Sequence, residues 1–97
     1  MEFEWDRSKE RENVRKHKVA FMEAVESFFD PRGFALKDAK HSHKEKRFYW
    51  IGKTSGGKVL TTRYTRRGSR IRIIGSAEWR AFRRLYYEKT EHQKSER

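Results

Sequence analysis

The chain has 97 residues, no Cys, and a formal charge of +11 from 25 Lys and Arg against 14 Asp and Glu. That length makes one domain, and the missing Cys excludes disulfide staples and thiolate metal sites. Apolar residues reach only 34%, but aromatics reach 14%, so three Trp, seven Phe and four Tyr are expected to close a small core.

Met1-Glu2-Phe3-Glu4-Trp5 alternates polar and apolar, the pattern of a brief edge strand. Asp6 is placed to cap a helix running to about His17, so polar that it lies on the molecule rather than inside it. Phe21, Ala24, Val25 and Phe28 fall at i, i+3, i+4 and i+7, one face of a second helix. It ends at Asp30-Pro31, because the residue before a proline avoids the α region. From Gly33 the period becomes two, with candidate strands at 33–37, 47–53, 58–65 and 70–74. Thr54-Ser55-Gly56-Gly57 and Arg66-Arg67-Gly68-Ser69 are turn sequences between neighbours, which predicts an antiparallel meander. Residues 38–46, with His41 and His43, make a longer polar loop. Ser76 is read as the cap of a last helix from Ala77 to about Lys89, with Trp79, Phe82 and Tyr86 on its apolar side. Residues 1–89 thus read as a single α+β domain, a small antiparallel sheet with two N-terminal helices and one C-terminal helix. Residues 90–97 read as a polar, frayed tail.

The positive charge is concentrated. Between Val59 and Tyr87 the sole acid is Glu78, against Arg63, Arg66, Arg67, Arg70, Arg72, Arg80, Arg83 and Arg84. Arg70 and Arg72, two apart on one strand, project to one face, with Arg63 and Tyr64 on the neighbouring strand. Arg63, Tyr64, Arg70, Arg80 and Arg83 are therefore candidates to bind a single-stranded polyanion, guanidinium groups on phosphates and the ring on a base. The same face would suit an acidic protein partner, and charge does not separate the two. No apolar run approaches the roughly 20 residues that span a bilayer, so a soluble, cytoplasmic protein with no membrane partner is expected.

RNA cleavage without a metal needs a base for the 2′-OH, cations for the charge growing on phosphate, and an acid for the leaving oxygen. Lys16-His17 closes the first helix, where cations suit the helix dipole and a structural cap is the plain reading. If that helix end borders the basic face, the pair becomes a candidate general acid and base. His41 and His43 have no third ligand nearby, so no metal site is expected. Nothing matches a Gly-rich nucleotide loop, and no cofactor is expected.

Phe3-x-Trp5-Asp6, Lys9, Asn13, Lys16-His17-x-Val19-x-Phe21, Glu23-Ala24, Phe28 and Asp30-Pro31 follow in an order similar to the N-terminal half of the BrnT toxins. Asp38-x-x-His41-Ser42-x-x-Glu45-x-Arg47-Phe48, Ile51-Gly52, Gly57, Tyr64-Thr65-x-Arg67-Gly68 and Ile71-Arg72-Ile73-Ile74 resemble their second half. The resemblance runs from about Phe3 to Tyr87. It implies a RelE-like fold and an endoribonuclease toxin of a type II toxin–antitoxin pair, cleaving RNA by metal-independent transesterification. It also implies a BrnA-like antitoxin that carries the DNA-binding part, meets operator DNA for both, and joins the toxin as a heterotetramer of two toxins and two antitoxins. In such an enzyme Arg67 and Arg72 are expected to contact phosphate and stabilise the transition state, with Lys16 and His17 as acid and base. Arg80 stands where the family's C-terminal arginine role would pass, and many relatives carry Gly at the position of Lys18. The alternative is a non-enzymatic basic module that binds nucleic acid, or an antitoxin as co-repressor.

Overall fold

Alternation in the first residues forms strand β1 (Glu2–Trp5), which turns Phe3 and Trp5 to the core and leaves Glu2 and Glu4 on the other face. The computed structural model describes residues 1–95. Asp6 caps helix α1 (Arg7–His17) as expected. Its carboxylate accepts from the Ser8 and Lys9 amides at 2.7 and 3.3 Å, supplying partners that a first helical turn lacks. Lys18 ends the helix in a left-handed conformation, φ 59° and ψ 31°, and its amide donates to the Val14 carbonyl at 2.9 Å. Helix α2 (Phe21–Ser27) follows at once. The Glu23 carboxylate accepts from the Ala20 amide at 3.1 Å and the Glu10 carboxylate from the Phe21 amide at 2.9 Å, so α1 helps to cap α2.

Strands β2 (Phe34–Lys37), β3 (Arg47–Lys53), β4 (Val59–Arg67) and β5 (Arg70–Ala77) form the antiparallel meander that the turn sequences predict. The sheet as a whole is nevertheless mixed. β1 pairs parallel to β5, Phe3 beside Ile71 and Trp5 beside Ile73, giving the order β1-β5-β4-β3-β2. A parallel pair needs a long crossover, and two helices and three strands supply it here. β4 and β5 slip by one residue at Ile74, so Tyr64 faces Ile73 while Arg63 faces Gly75.

Ser76 does not cap the last helix. It lies buried in β5 opposite Thr62, the two hydroxyls 2.9 Å apart, and hydrogen bonds to Asn13 hold its backbone in the strand. Helix α3 starts at Arg80 and runs to Ser95, past the end near Lys89 read from the sequence. Near that end Lys89 lies over the Phe34 ring at 4.1 Å, and the buried Thr90 hydroxyl donates to the Tyr87 carbonyl at 3.2 Å. Residues 96–97 of the expected tail lie outside the described residues. No helix among the described residues is long and apolar enough to cross a membrane.

Helix α2 covers one face of the sheet. Phe28 stacks on Trp50 with centroids 5.2 Å apart and meets Tyr64 edge-on at the same distance, beside Ile71. Trp50 Nε1 donates to the Ser27 carbonyl at 2.8 Å, an approach that Gly52 permits because a Cβ there would overlap that carbonyl. Helix α3 covers part of the other face, burying Ile51, Val59 and Tyr86 with Tyr49 and Phe82 packed around them. The Tyr86 hydroxyl donates to Asp30 Oδ2 at 2.6 Å and pins α3 to the turn after α2.

Candidate active site

Strand register sorts the charged residues into rows on the face that α3 leaves open. Glu2, Arg70 and Arg67 make one row, Glu4, Arg72, Thr65 and Arg47 the next, and Gly75, Arg63 and Tyr49 a third. The following row, Ala77, Thr61 and Ile51, belongs to the part that α3 covers.

Acids from distant segments change what this charge can do. Arg72 Nη1 donates to Glu4 Oε2 at 2.6 Å, Arg70 lies 3.4 Å from Glu2 and 3.6 Å from Glu4, and Arg67 lies 3.8 Å from Glu45. The hydrogen bond from Arg72 holds the Glu4 carboxyl below its usual range, so this partner stays ionised. Arg47 and Arg63 differ. Both are half-buried, and among the described residues neither pairs with a carboxylate. Among the described residues the buried Arg47 Nε has no hydrogen-bond partner, a costly state.

These two arginines face a cleft of about 360 Å³ whose opposite wall is α1, with Lys9, Glu12, Asn13, Lys16 and His17, and which Ile74 and Gly75 complete. Asn13 seats that wall. Its buried amide donates to the carbonyls of Val19 at 2.9 Å and Ser76 at 2.8 Å, and its Oδ1 accepts from the Ser76 amide at 3.0 Å. Gly75 borders both side chains: a Cβ there would lie in ordinary contact, 3.6 Å from Arg63 Nη2 and 3.5 Å from Asn13 Oδ1. Glu12 is the acid of the cleft. The hydrogen bond from Arg15, with Lys16 Nζ at 3.5 Å, holds its carboxyl down at about 2. It therefore remains anionic and takes part of the Lys16 charge.

A second cleft of about 330 Å³ shares Arg47 and is otherwise lined by His41, His43, Lys44 and Glu45. Here the His41 Nδ1 lies 2.9 Å from Oδ2 of the buried Asp38. Among the described residues, no three His, Cys, Asp or Glu side chains gather in a way that would hold a metal ion.

The structure thus brings together Lys16, His17 and Arg63 of the residues expected from the sequence. Arg67, Arg70 and Arg72 share the sheet face but do not line the cleft, and each meets an acid. Arg80 and Arg83 are exposed at the start of α3, Arg83 beside the Tyr87 ring at 5.9 Å, and neither lines the cleft. Tyr64 is on the wrong face. It is 4% exposed between Phe28 and Phe48, because neighbours on a strand point oppositely and Arg63 takes the cleft side. It offers no ring to a base. Lys9, Asn13 and Arg47 had no assigned part in the sequence reading. Lys9, Asn13 and Lys16 stand at i, i+4 and i+7, a polar stripe on one helical face that was available as a signal. Arg47 carried none, since only its pairing with Thr65 aligns it with the other arginines.

A family model described as the ribonuclease toxin BrnT of a type II toxin–antitoxin system matches residues 5–81, which takes in both walls of the cleft. Among solved structures, the Brucella abortus ribonuclease toxin BrnT matches with a TM-score of 0.64, over 81% of this chain and 96% of that one. Sequence identity is 20%, so that likeness is one of fold. No curated protein matches the chain in sequence. On the family match over most of its length, the chain belongs to the BrnT family of ribonuclease toxins of type II toxin–antitoxin systems.

Proposed function

We propose that this chain is an endoribonuclease that cleaves RNA without a metal, the 2′-OH attacking the adjacent phosphorus to leave a 2′,3′-cyclic phosphate and a 5′-OH. One observation carries the reading: Arg47 and Arg63, unpaired with acids among the described residues, face Lys9, Lys16 and His17 across one cleft. The transition state gathers negative charge on the phosphate oxygens, and fixed guanidinium donors meet it best when no carboxylate already occupies them. Lys16 and His17 at the end of α1 supply proton transfer from that wall. Arg67, Arg70 and Arg72 flank the reacting centre, and their pairing with Glu45, Glu2 and Glu4 supports a lesser electrostatic part for them. Arg80 and Arg83 guide the strand past α3, where Phe82 of the helix and Trp79 just before it pack on Tyr49 beside Arg63. Family membership supplies an antitoxin partner. We infer a BrnA-like protein that covers the cleft in the cytoplasm, in a complex of two toxins and two antitoxins that reaches operator DNA through the antitoxin.

The test compares RNA and DNA of one sequence in EDTA. RNA is expected to be cut to cyclic phosphate ends and DNA to be bound but left whole, because the nucleophile is the 2′-OH. A pure wild-type protein that leaves RNA intact, on and off ribosomes, refutes the reading in favour of a binding module.

A further inference from the structure

We propose that His41, oriented by Asp38 in the second cleft and reaching the first at Arg47, which lines both, is the general base of the RNA cleavage, a catalytic residue for the reaction above and resting on that reading. In-line displacement puts the attacking O2′ and the departing O5′ on opposite sides of phosphorus. A base and an acid must therefore approach from opposite sides. Lys16 and His17 both belong to the α1 wall, which packs on β5, and so they serve one side. Across the sheet from that wall come Arg63 on β4, then Arg47 on β3, then the loop at 38–46 that joins β3 to β2. His41 is the side chain of that loop with a fixed ring.

Asp38 is 5% exposed, and its carboxylate beside Nδ1 is placed to accept a hydrogen bond from the Nδ1–H tautomer, which leaves the Nε2 lone pair free to take a proton. Buried acid, oriented imidazole and hydroxyl stand in the same order in hydrolases that activate their own serine; here the hydroxyl is the substrate's. The His41 side chain is 48% exposed and shares its cleft with Arg47. The loop is tied to the arginine that would hold the phosphate. The Asp38 amide donates to the Arg47 carbonyl at 2.8 Å, and the Ser42 hydroxyl donates to the Asp38 carbonyl at 2.6 Å while accepting from the Arg47 amide at 3.0 Å. The Arg47 Nε meanwhile has no partner among the described residues. His43, Lys44 and Glu45 are the other titratable groups of this cleft, and Tyr49 adjoins Asp38 from β3. Burial pushes the Tyr49 phenol up and the Asp38 charge pushes it further, so Tyr49 stays a neutral neighbour of the pair.

The step balances. The O2′ proton passes to His41 Nε2 as the O2′–P bond forms, the P–O5′ bond breaks, and O5′ takes a proton from the Lys16–His17 end of α1. Asp38 is a positioning residue, holding the tautomer and the ring plane.

The experiment measures steady-state cleavage by the full chain of wild type, His41→Ala and Asp38→Asn, with and without added imidazole. Circular dichroism confirms the fold, which the backbone ties of Asp38 keep in Asp38→Asn. His41→Ala is expected to lower kcat about 100-fold or more with KM within about threefold, and imidazole to restore part of kcat. Asp38→Asn is expected to lower kcat about 10-fold or more at unchanged KM. Near-wild-type cleavage by His41→Ala, a loss confined to KM, or a loss that imidazole does not relieve overturns the proposal while the ribonuclease reading stands. Failure of the wild type itself to form cyclic phosphate overturns both, and it is seen without any variant.

Discussion

Replacing Lys18 with Gly is expected to stabilise the protein. Lys18 holds φ 59° and ψ 31° at the end of α1, and the buried Val19 follows it directly. A side chain in the left-handed region costs about 1–2 kcal/mol, because its Cβ crowds the following carbonyl oxygen. Glycine removes that strain but adds freedom to the unfolded chain, which takes back about 0.4–1 kcal/mol. The lysine side chain itself contributes little, its Nζ donating to the Arg15 carbonyl at 3.3 Å on the exposed surface. The net gain is about 0.5–1 kcal/mol, which raises Tm by about 2–8 °C in a domain of this size. Urea and thermal unfolding of Lys18→Gly should be measured beside Lys18→Ala. Alanine keeps the Cβ, and its stability should stay within about 0.3 kcal/mol of wild type. Equal gains in the two variants, or a loss in Lys18→Gly, would show that Cβ strain at this turn is not the operative quantity.

Arg47→Ala and Arg63→Ala should each lower kcat/KM for RNA about 100-fold or more, while Arg67→Ala and Arg70→Ala, whose guanidiniums already meet acids, should lose less than about 10-fold. Single-turnover cleavage of a short oligonucleotide reads the difference, and equal losses at all four positions contradict the selection by pairing. Tyr86→Phe removes a donor to Asp30. Burial alone would raise that carboxyl, but the bonds from the Tyr86 hydroxyl and the Arg32 and Lys53 amides outweigh it and hold it below its usual value. A depressed carboxyl adds stability above its unfolded pKa of about 3.9 and loses it as pH falls through the lower folded value. The variant should therefore cost about 1.5–3 kcal/mol at pH 7 and much less in strong acid, as denaturant curves at the two pH values would show. Gly52→Ala should cost about 1–3 kcal/mol by forcing the Ser27 carbonyl and the Trp50 indole apart, measured by thermal melting.

Local chemistry made much of the fold legible. Asp6 capped its helix, the apolar stripe from Phe21 to Phe28 marked α2, and the two glycine turns fixed the meander. What stayed hidden depends on contacts far apart in sequence. The Ser76-Ala77-Glu78 segment satisfies a capping pattern, but Asn13 holds Ser76 in the strand, and nothing local announces that. The pairing of β1 with β5 is likewise unmarked, and it brings Glu2 and Glu4 beside Arg70 and Arg72. Counting acids between Val59 and Tyr87 therefore overstated the free charge of that region. The candidate site was half legible for the same reason. Lys16, His17 and Arg63 were readable as cations, but which arginines remain unneutralised is a property of the assembled sheet.

The pairing of β1 with β5 joins residues 68 positions apart, and the Asn13 tie to Ser76 spans 63. Contacts of that separation close long loops and form late. A nascent chain that ends before β5 already contains α1, with Lys16 and His17, and also Arg47 and Arg63. It lacks Gly75, and it lacks the strand against which Asn13 seats the helix wall. Synthesis must therefore pass β5 before the cleft can exist, and a copy stopped short of that strand lacks the surface on which the proposed chemistry depends.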